Sequence, residues 1–351
     1  MNLAMSSPNP RVILGLMTFG PDEKKGARIT SVDDFNECLS HLAERGYYEL
    51  DTARVYIDGA QEAFTAKAGY KDKGFSIATK CYPTPGVTSH KPEVLREKLE
   101  TSLKELETDT VEIFYLHAAD RSTPFEETLR EVDKMHKEGK FVQLGLSNYT
   151  AFEVAEVVMT CKANGWVRPT IYQAMYNCIT RSIEAELIPC CRRYGLDLVT
   201  YNPLVGGLFS GKIKAKDLVP TEGRYSDKDT KQGKNYRDRY FKDATFQALS
   251  MIEPVAKEHN LTLLEVALRW MRWHSKLEMT PPKRDGVIIG VSSFEQLKGN
   301  LDDLEKGPLP DKVVETLDQC WAVCKGTAPN YWHLDLKYTY DTVATLFPPK
   351  S

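Results

Sequence analysis

Residues 50–56 read LDTARVY. An apolar run ends in Asp51, and Tyr56 follows five residues later, just ahead of a loop-like IDG. Aspartate is rarely buried unless it is paired, so Asp51 is either a cap for the next helix or part of a site. The rest of the chain repeats the pattern. Short, largely apolar runs stand at Val12–Leu16, Tyr48–Thr52, Phe75–Thr79, Val111–Leu116, Phe141–Leu146, Thr170–Met175, Asp197–Tyr201 and Gly286–Ile289. Such runs are expected of strands buried on both faces of a parallel sheet. The polar residues that close them, Asp51, Lys80, His117, Ser147, Asn177 and Asn202, lie 29, 37, 30, 30 and 25 residues apart when their numbers are subtracted. Each interval has room for one strand and one helix. Eight such units predict an α/β protein, a (β/α)8 TIM barrel over residues 1–351, better than a two-domain open sheet.

The intervals carry helix signals. Ser31–Arg45 opens on Ser31 and an acidic turn and closes at Gly46, and Pro92–Glu105 has proline in its first turn. Pro124–Lys137 and Ala151–Ala163 stop just short of Gly139 and Gly165. The rhythm then breaks, with 88 residues between Asn202 and Gly290. This gap holds a polar, Gly- and Lys-rich stretch, Lys212–Tyr240, before helical patterns at Asp243–Glu258 and Thr262–His274. An insertion after the seventh strand belongs to the catalytic face of a barrel, so residues 205–260 read as a lid or cofactor clamp. A disordered surface loop is the alternative for its first half. One more helix, Asp311–Cys324, precedes a C-terminal tail, residues 325–351, whose stretch NYWHLDLKYTYDTVATLF is too aromatic to stay solvated and should dock.

Composition narrows the function. The chain is 42% hydrophobic and 27% charged, as an ordinary soluble globular protein is. A net charge of −3 offers no electrostatic case for nucleic acid or an anionic membrane. No run approaches the ~18 apolar residues of a membrane helix, and the start, MNLAMSSPNPR, lacks the features of a signal peptide. A cytoplasmic location is expected. The eight cysteines include an adjacent pair, Cys190-Cys191, and no zinc-type spacing, so they read as buried thiols and no metal site is expected.

In a barrel the active site lies at the C-terminal ends of the strands. Asp51 closes strand 2 with Tyr56 in the loop beyond, Lys80 closes strand 3 in FSIATK, and His117 closes strand 4 in VEIFYLH. Singly, each has a plain explanation as a helix cap, a solvated lysine or a hydrogen-bonded core histidine. Together they suggest a device for acidifying Tyr56. A phenol with the ordinary pKa of about 10 holds its proton at neutral pH, and a neighbouring ammonium lowers that value. Asp51 would hold Lys80 in place and charged, and His117 would orient an incoming carbonyl oxygen. Such a site protonates an alkoxide as hydride arrives, which is carbonyl reduction.

LDTARVY, FSIATK, FYLH, GLSNY, YNPL and IIGVSS together resemble the aldo-keto reductases, and most closely the aflatoxin-aldehyde reductase and succinic semialdehyde reductase branch, in ETSLKEL, TPFEETL, EGKFVQLGLSNY and NPLVGGLFSGK. The resemblance runs from about Val12 to Tyr331. It implies a tetrad of Asp51, Tyr56, Lys80 and His117 with Tyr56 as general acid, and NADPH/NADP+ as cofactor. Ser147, Asn148 and Gln173 would hold the nicotinamide carboxamide and Tyr201 would stack on its ring. Asn202–Lys212, with Leu204, Gly206, Gly207, Gly211 and Lys212, would wrap the pyrophosphate. Ser292, Ser293, Gln296 and Asn300 would take the adenosine end and its 2′-phosphate, with Arg224 as a further phosphate contact. Tyr236 and Arg239 match residues that contact acidic substrates in the branch, although Arg239 has the alternative of merely pinning the lid. Arg54 and Val55 are expected at the pocket mouth and differ from the larger apolar pair of the branch. The tail departs too: the branch pattern ends soon after Tyr331 with an aromatic and an arginine, whereas here it reads Trp332-His333 and continues to Ser351.

The expected activity is reduction of a small-molecule aldehyde or ketone, either an acidic aldehyde such as succinic semialdehyde or a bulkier pathway intermediate, by a homodimer if the branch is followed. Two alternatives stand beside it. One is an NADPH-binding regulatory or sensor subunit, as in the potassium-channel β subunits of the superfamily. The other is a barrel lyase or isomerase with a Lys80 Schiff base, which Asp51, Tyr56 and the nucleotide-binding motifs disfavour.

Overall fold

The computed structural model describes residues 9–221, 223–226, 230–279 and 284–347. Among them the strands are β1 (Arg11–Gly15), β2 (Glu49–Asp51), β3 (Ser76–Cys81), β4 (Val111–Leu116), β5 (Phe141–Ser147), β6 (Pro169–Met175), β7 (Asp197–Tyr201) and β8 (Gly286–Gly290). They close into a barrel in chain order, with parallel pairing from β2 through β6 and between β7 and β8. This is the (β/α)8 barrel that the strand-end spacing predicts. The helices are α1 (Val32–Glu44), α2 (Gln61–Lys67), α3 (Pro92–Glu105), α4 (Phe125–Lys137), α5 (Ala151–Asn164), α6 (Leu187–Tyr194), α7 (Thr230–Tyr240), α8 (Asp243–Glu258), α9 (Leu263–Trp273), α10 (Phe294–Glu305), α11 (Asp311–Cys324) and α12 (Thr342–Leu346).

Where the ends were legible, capping made them so. Ser31 accepts hydrogen bonds from the Asp33 and Asp34 amides at the start of α1, and Thr150 and Glu153 satisfy each other's backbone at the start of α5. The sequence does not announce α2, α6, α7 or α12. The first has no side-chain cap, and α7 lies in the polar stretch, where no apolar stripe marks a helix.

Two compact units divide the chain. One comprises Leu14–Ala174, Ile183–Asp197 and Asn330–Ser351, and the other Met1–Ile13, Met175–Ser182 and Leu198–Pro329. In the first unit the strands are almost wholly buried, with Val111, Ile113, Phe114, Tyr115 and Leu116 of β4 all at 3% exposure or less. Register matters here, because Lys80 pairs with Tyr115, and Tyr115 with Gly145. A Cβ on Gly145 would come within 2.3 Å of the Tyr115 ring. The glycine therefore makes the room in which Tyr115 lies beside Lys80. The tail docks on this same unit: the buried Tyr331 hydroxyl donates to Glu186 (3.0 Å) and accepts from the Ala151 amide (3.1 Å).

In the second unit, α8 and α11 pack together, and the thiols of Cys320 and Cys324 donate to the carbonyls of Ala248 and Ala244. All eight cysteines of the chain are free and all but Cys190 are buried. Burial pushes the thiols of Cys38, Cys81, Cys161 and Cys320 up to about 12, so they behave as small core residues.

Candidate active site

The first unit brings Asp51, Tyr56, Lys80 and His117 together. Asp51 is the last residue of β2 and Lys80 the penultimate residue of the adjacent parallel β3, and both are buried. The Lys80 ammonium donates to Asp51 Oδ1 (2.5 Å) and to the Thr52 carbonyl (2.6 Å), while Gln173 Nε2 donates to Asp51 Oδ2 (2.8 Å). Burial draws the Lys80 pKa down and pushes that of Asp51 up, and their mutual attraction opposes both shifts. The same ammonium lies 5.3 Å from the centre of the Tyr56 ring and 5.8 Å from that of Tyr115. A cation held at a phenol is the arrangement the sequence suggested.

The loop that carries Tyr56 is braced from behind. Ile57 and Asp58 both have φ of 50°, a strained conformation for residues with a side chain. Arg54 holds the loop: its guanidinium pairs with the fully buried Glu62 of α2 and donates to the Gly59 carbonyl. Glu62 also accepts from Thr79 Oγ1 (2.5 Å), tying the loop to β3. Arg54 is thus engaged within its own loop, and Val55 is the residue of the pair that is exposed, at 43%. Glu62 is not legible in the sequence, because α2 carries no side-chain cap to announce it. Replacing Arg54 with Ala leaves the Glu62 carboxylate buried and unpaired. We expect a loss of about 3–5 kcal/mol, measurable by urea unfolding.

His117 lies edge-on to Tyr56, with ring centroids 6.2 Å apart, and edge-on to Tyr82 at 5.2 Å. Burial first, and then the charge of Lys80, holds its pKa well below the ordinary histidine value. The imidazole is therefore neutral at neutral pH and can give one N–H. Its Nδ1 is buried without a hydrogen-bond partner among the described residues. Asn148 fixes the strand end: with φ of 57° it turns its amide to donate to the His117 carbonyl (2.8 Å) and to Ser147 Oγ (2.9 Å). Ser147, Asn148 and Gln173 are all buried, beside the Asp51–Lys80 pair or His117. Tyr82 and His333 are not among the expected site residues. Tyr82 has a signal, since it lies two residues beyond Lys80 and alternate residues share a face; for His333 the mark is that the tail departs from the branch at Trp332-His333.

The low pKa of His117 has a stability consequence, shared by the buried His90, whose value burial also lowers. Both stay neutral in the folded protein while the unfolded chain takes up protons near pH 6.5. Stability is therefore fully present above that pH and is lost as pH falls through it. Each histidine contributes a slope of up to about 1.4 kcal/mol per pH unit. Urea midpoints should fall between pH 7 and pH 5, and a His90→Gln variant should show a flatter dependence.

The second unit holds the rest of the expected site residues. Tyr201 ends β7 and accepts from the Tyr176 amide through its carbonyl (3.3 Å). In the loop that follows, Asn202 and Val205 have φ of 66° and 53°, and Gly206, Gly207 and Gly211 have φ of 63°, 90° and 71°. Asn202 holds this loop by accepting from the Gly206 amide (2.5 Å), and the Leu204 carbonyl accepts from Gly207 (2.9 Å). A Cβ on Gly207 would meet open space, whereas one on Gly206 would strike the Tyr236 ring at 2.6 Å. Lys212 is exposed at the end of the loop. Arg224 and Arg239 both stack on Tyr236, at 5.3 and 5.5 Å from its ring centre. At the start of α10, Ser293 accepts from the Gln296 amide (3.3 Å), and Gln296 Oε1 accepts from Ser292 (2.9 Å). Asn300 is buried one turn further on. Residues 222 and 227–229 of the expected lid lie outside the described residues.

A barrel with an aspartate, a tyrosine, a lysine and a neutral histidine grouped at strand ends points to an oxidoreductase acting on carbonyl groups. Comparison with known proteins makes the class specific: residues 11–322 match the Aldo/keto reductase family, and the chain belongs to it. It is 44% identical to aflatoxin B1 aldehyde reductase member 2 of Mus musculus, over 94% of this chain and 92% of that protein. It is 41% identical to aflatoxin B1 aldehyde reductase member 4 of Homo sapiens, over 95% of this chain and all of that one. Aldo-keto reductase pigE of Monascus ruber is 37% identical over 93% of this chain and 99% of its own. Membership makes the protein an enzyme with a nicotinamide cofactor. Among the described residues, no helix is long and apolar enough to cross a membrane.

Proposed function

We propose that the enzyme reduces an aldehyde or ketone to the alcohol with NADPH, using Tyr56 as the proton donor. The observation that carries this reading is the Lys80 ammonium, locked by Asp51 and 5.3 Å from the Tyr56 ring. The bound cofactor supplies the hydride. Every other task falls to the chain itself. His117, neutral and half-buried, donates an N–H to the carbonyl oxygen and sets its angle. Tyr56 transfers its phenolic proton to that oxygen as negative charge develops there. Lys80 stabilises the phenolate left behind, and Asp51 and Gln173 keep the ammonium from moving.

The residues present suit the cofactor. In the first unit, Ser147, Asn148 and Gln173 offer the amides and hydroxyl that a carboxamide needs. In the second, the loop from Asn202 to Lys212 has the backbone freedom and the open space at Gly207 that a pyrophosphate needs, and Tyr201 offers a ring for stacking. Arg224 and the start of α10, with Ser292, Ser293, Gln296 and Asn300, would take the adenosine end and a 2′-phosphate, which favours NADPH over NADH. Tyr236 and Arg239 suit an acidic carbonyl substrate, since a guanidinium pairs well with a carboxylate.

The test is to mix the protein with NADPH and a panel of aldehydes and follow the absorbance of the reduced nicotinamide. Repeated turnover is expected, faster with NADPH than with NADH. A single oxidation of bound cofactor followed by silence would overturn the reading and favour a sensor.

A further inference from the structure

We propose that Tyr115, on β4, is a positioning residue for the reaction: the face of its ring keeps the Lys80 ammonium charged inside the barrel. This rests on the role proposed above for Lys80. The lysine is 0% exposed, so the protein alone must replace the water that an ammonium loses on burial. Asp51 and the Thr52 carbonyl each accept one of its three N–H groups. Two aromatic faces complete the surroundings, with the nitrogen over both, 5.3 Å from the centre of Tyr56 and 5.8 Å from that of Tyr115. A cation over an aromatic face is attracted by the negative charge of the π system, and more strongly where water is excluded. The two rings differ in their task. Tyr56 gives up its proton in each turnover, so its ring belongs to the reacting group, whereas Tyr115 is free to serve the lysine throughout.

The sheet is built to hold this ring. Lys80 of β3 is paired directly with Tyr115 of β4, and residues paired in this way present their side chains to the same face. On its other side Tyr115 is paired with Gly145 of β5, where a Cβ would come within 2.3 Å of the ring. Gly145 is not among the glycines with positive φ, although the pairing with β6 shifts register beside it. Its backbone therefore does not demand glycine; the ring does. The charged and titratable groups that face Lys80 are Asp51 on β2, Tyr56 in the loop after it, Glu62 on α2 and His117 beyond β4. The two carboxylates favour the ammonium and burial opposes it. His117 is neutral, and Tyr56 holds its proton until it reacts. Tyr115 adds attraction without adding a further charge to the site.

The experiment is the pH dependence of kcat/KM, with NADPH and whichever aldehyde of the panel above turns over fastest, in wild type, Tyr115→Phe and Tyr115→Leu. Tyr115→Met, closer to tyrosine in volume, stands in should the leucine variant not fold. The reacting form has Lys80 charged and Tyr56 protonated, so the rate falls as pH rises through the first proton loss from this pair. Without the ring the ammonium gives up its proton more readily. In Tyr115→Leu the fall should therefore begin at lower pH, by up to about one unit, and the ratio of wild-type to variant rate should grow up to about tenfold towards alkaline pH. Tyr115→Phe keeps the ring face and should follow the wild-type profile. A ratio that is the same at every pH is what lost packing alone would give, and it overturns the inference. So does a fall that moves to higher pH, or a phenylalanine variant that shifts as the leucine variant does. A wild type that turns over no carbonyl removes the proposed function itself.

Discussion

Replacing Tyr56 with Phe is expected to lower kcat by about 10²–10⁴, the range that positioned general acids contribute, while the affinity for NADPH changes little. The reason is local. The Tyr56 ring lies beside the Lys80 ammonium and His117, and the phenylalanine would keep the ring and both contacts while losing the hydroxyl and its transferable proton. The braces of the loop, Arg54 to Glu62 and to Gly59, are untouched, so folding should be preserved. Fluorescence titration of the reduced cofactor, together with steady-state rates, separates the two effects. A variant that retains the wild-type rate would exclude Tyr56 as the donor.

Lys80→Met should act on both activity and stability. Without the ammonium, Tyr56 loses the charge that favours its phenolate, and kcat should fall by a comparable factor. Asp51 meanwhile loses its counter-charge in a buried position, keeping the hydrogen bond from Gln173. Breaking a buried pair by removing one partner costs about 3–5 kcal/mol. Adding Asp51→Asn to Lys80→Met removes the stranded charge, so the double variant should regain most of the stability and none of the activity. Urea unfolding and turnover measured on the same three proteins test this split. Recovery of activity in the double variant would show that Lys80 is merely structural.

The barrel was legible because its strands are buried on both faces and so appear as unbroken apolar runs, each closed by a polar residue. The same logic exposed Asp51, Lys80 and His117, since polar side chains at the ends of such runs are conspicuous. Tyr56 was visible only through its closeness to Asp51 in sequence. Arg54 is the instructive case. It was expected at the pocket mouth, yet its guanidinium is taken up by Glu62, a residue on a short uncapped helix that periodicity does not reveal. Which way an arginine turns depends on where the nearest buried carboxylate lies.

What the sequence determined by itself is the eightfold rhythm and the three polar groups at the ends of β2, β3 and β4, because both follow from burial and chain order. Only the tertiary structure decided what surrounds them. It placed Tyr115 beside Lys80 in the space left by Gly145, engaged Arg54 with Glu62, and set His333 next to Tyr82 through a tail clamped by Arg121. Each of these depends on residues far apart in the chain meeting at one point, and neither local propensity nor periodicity carries that information.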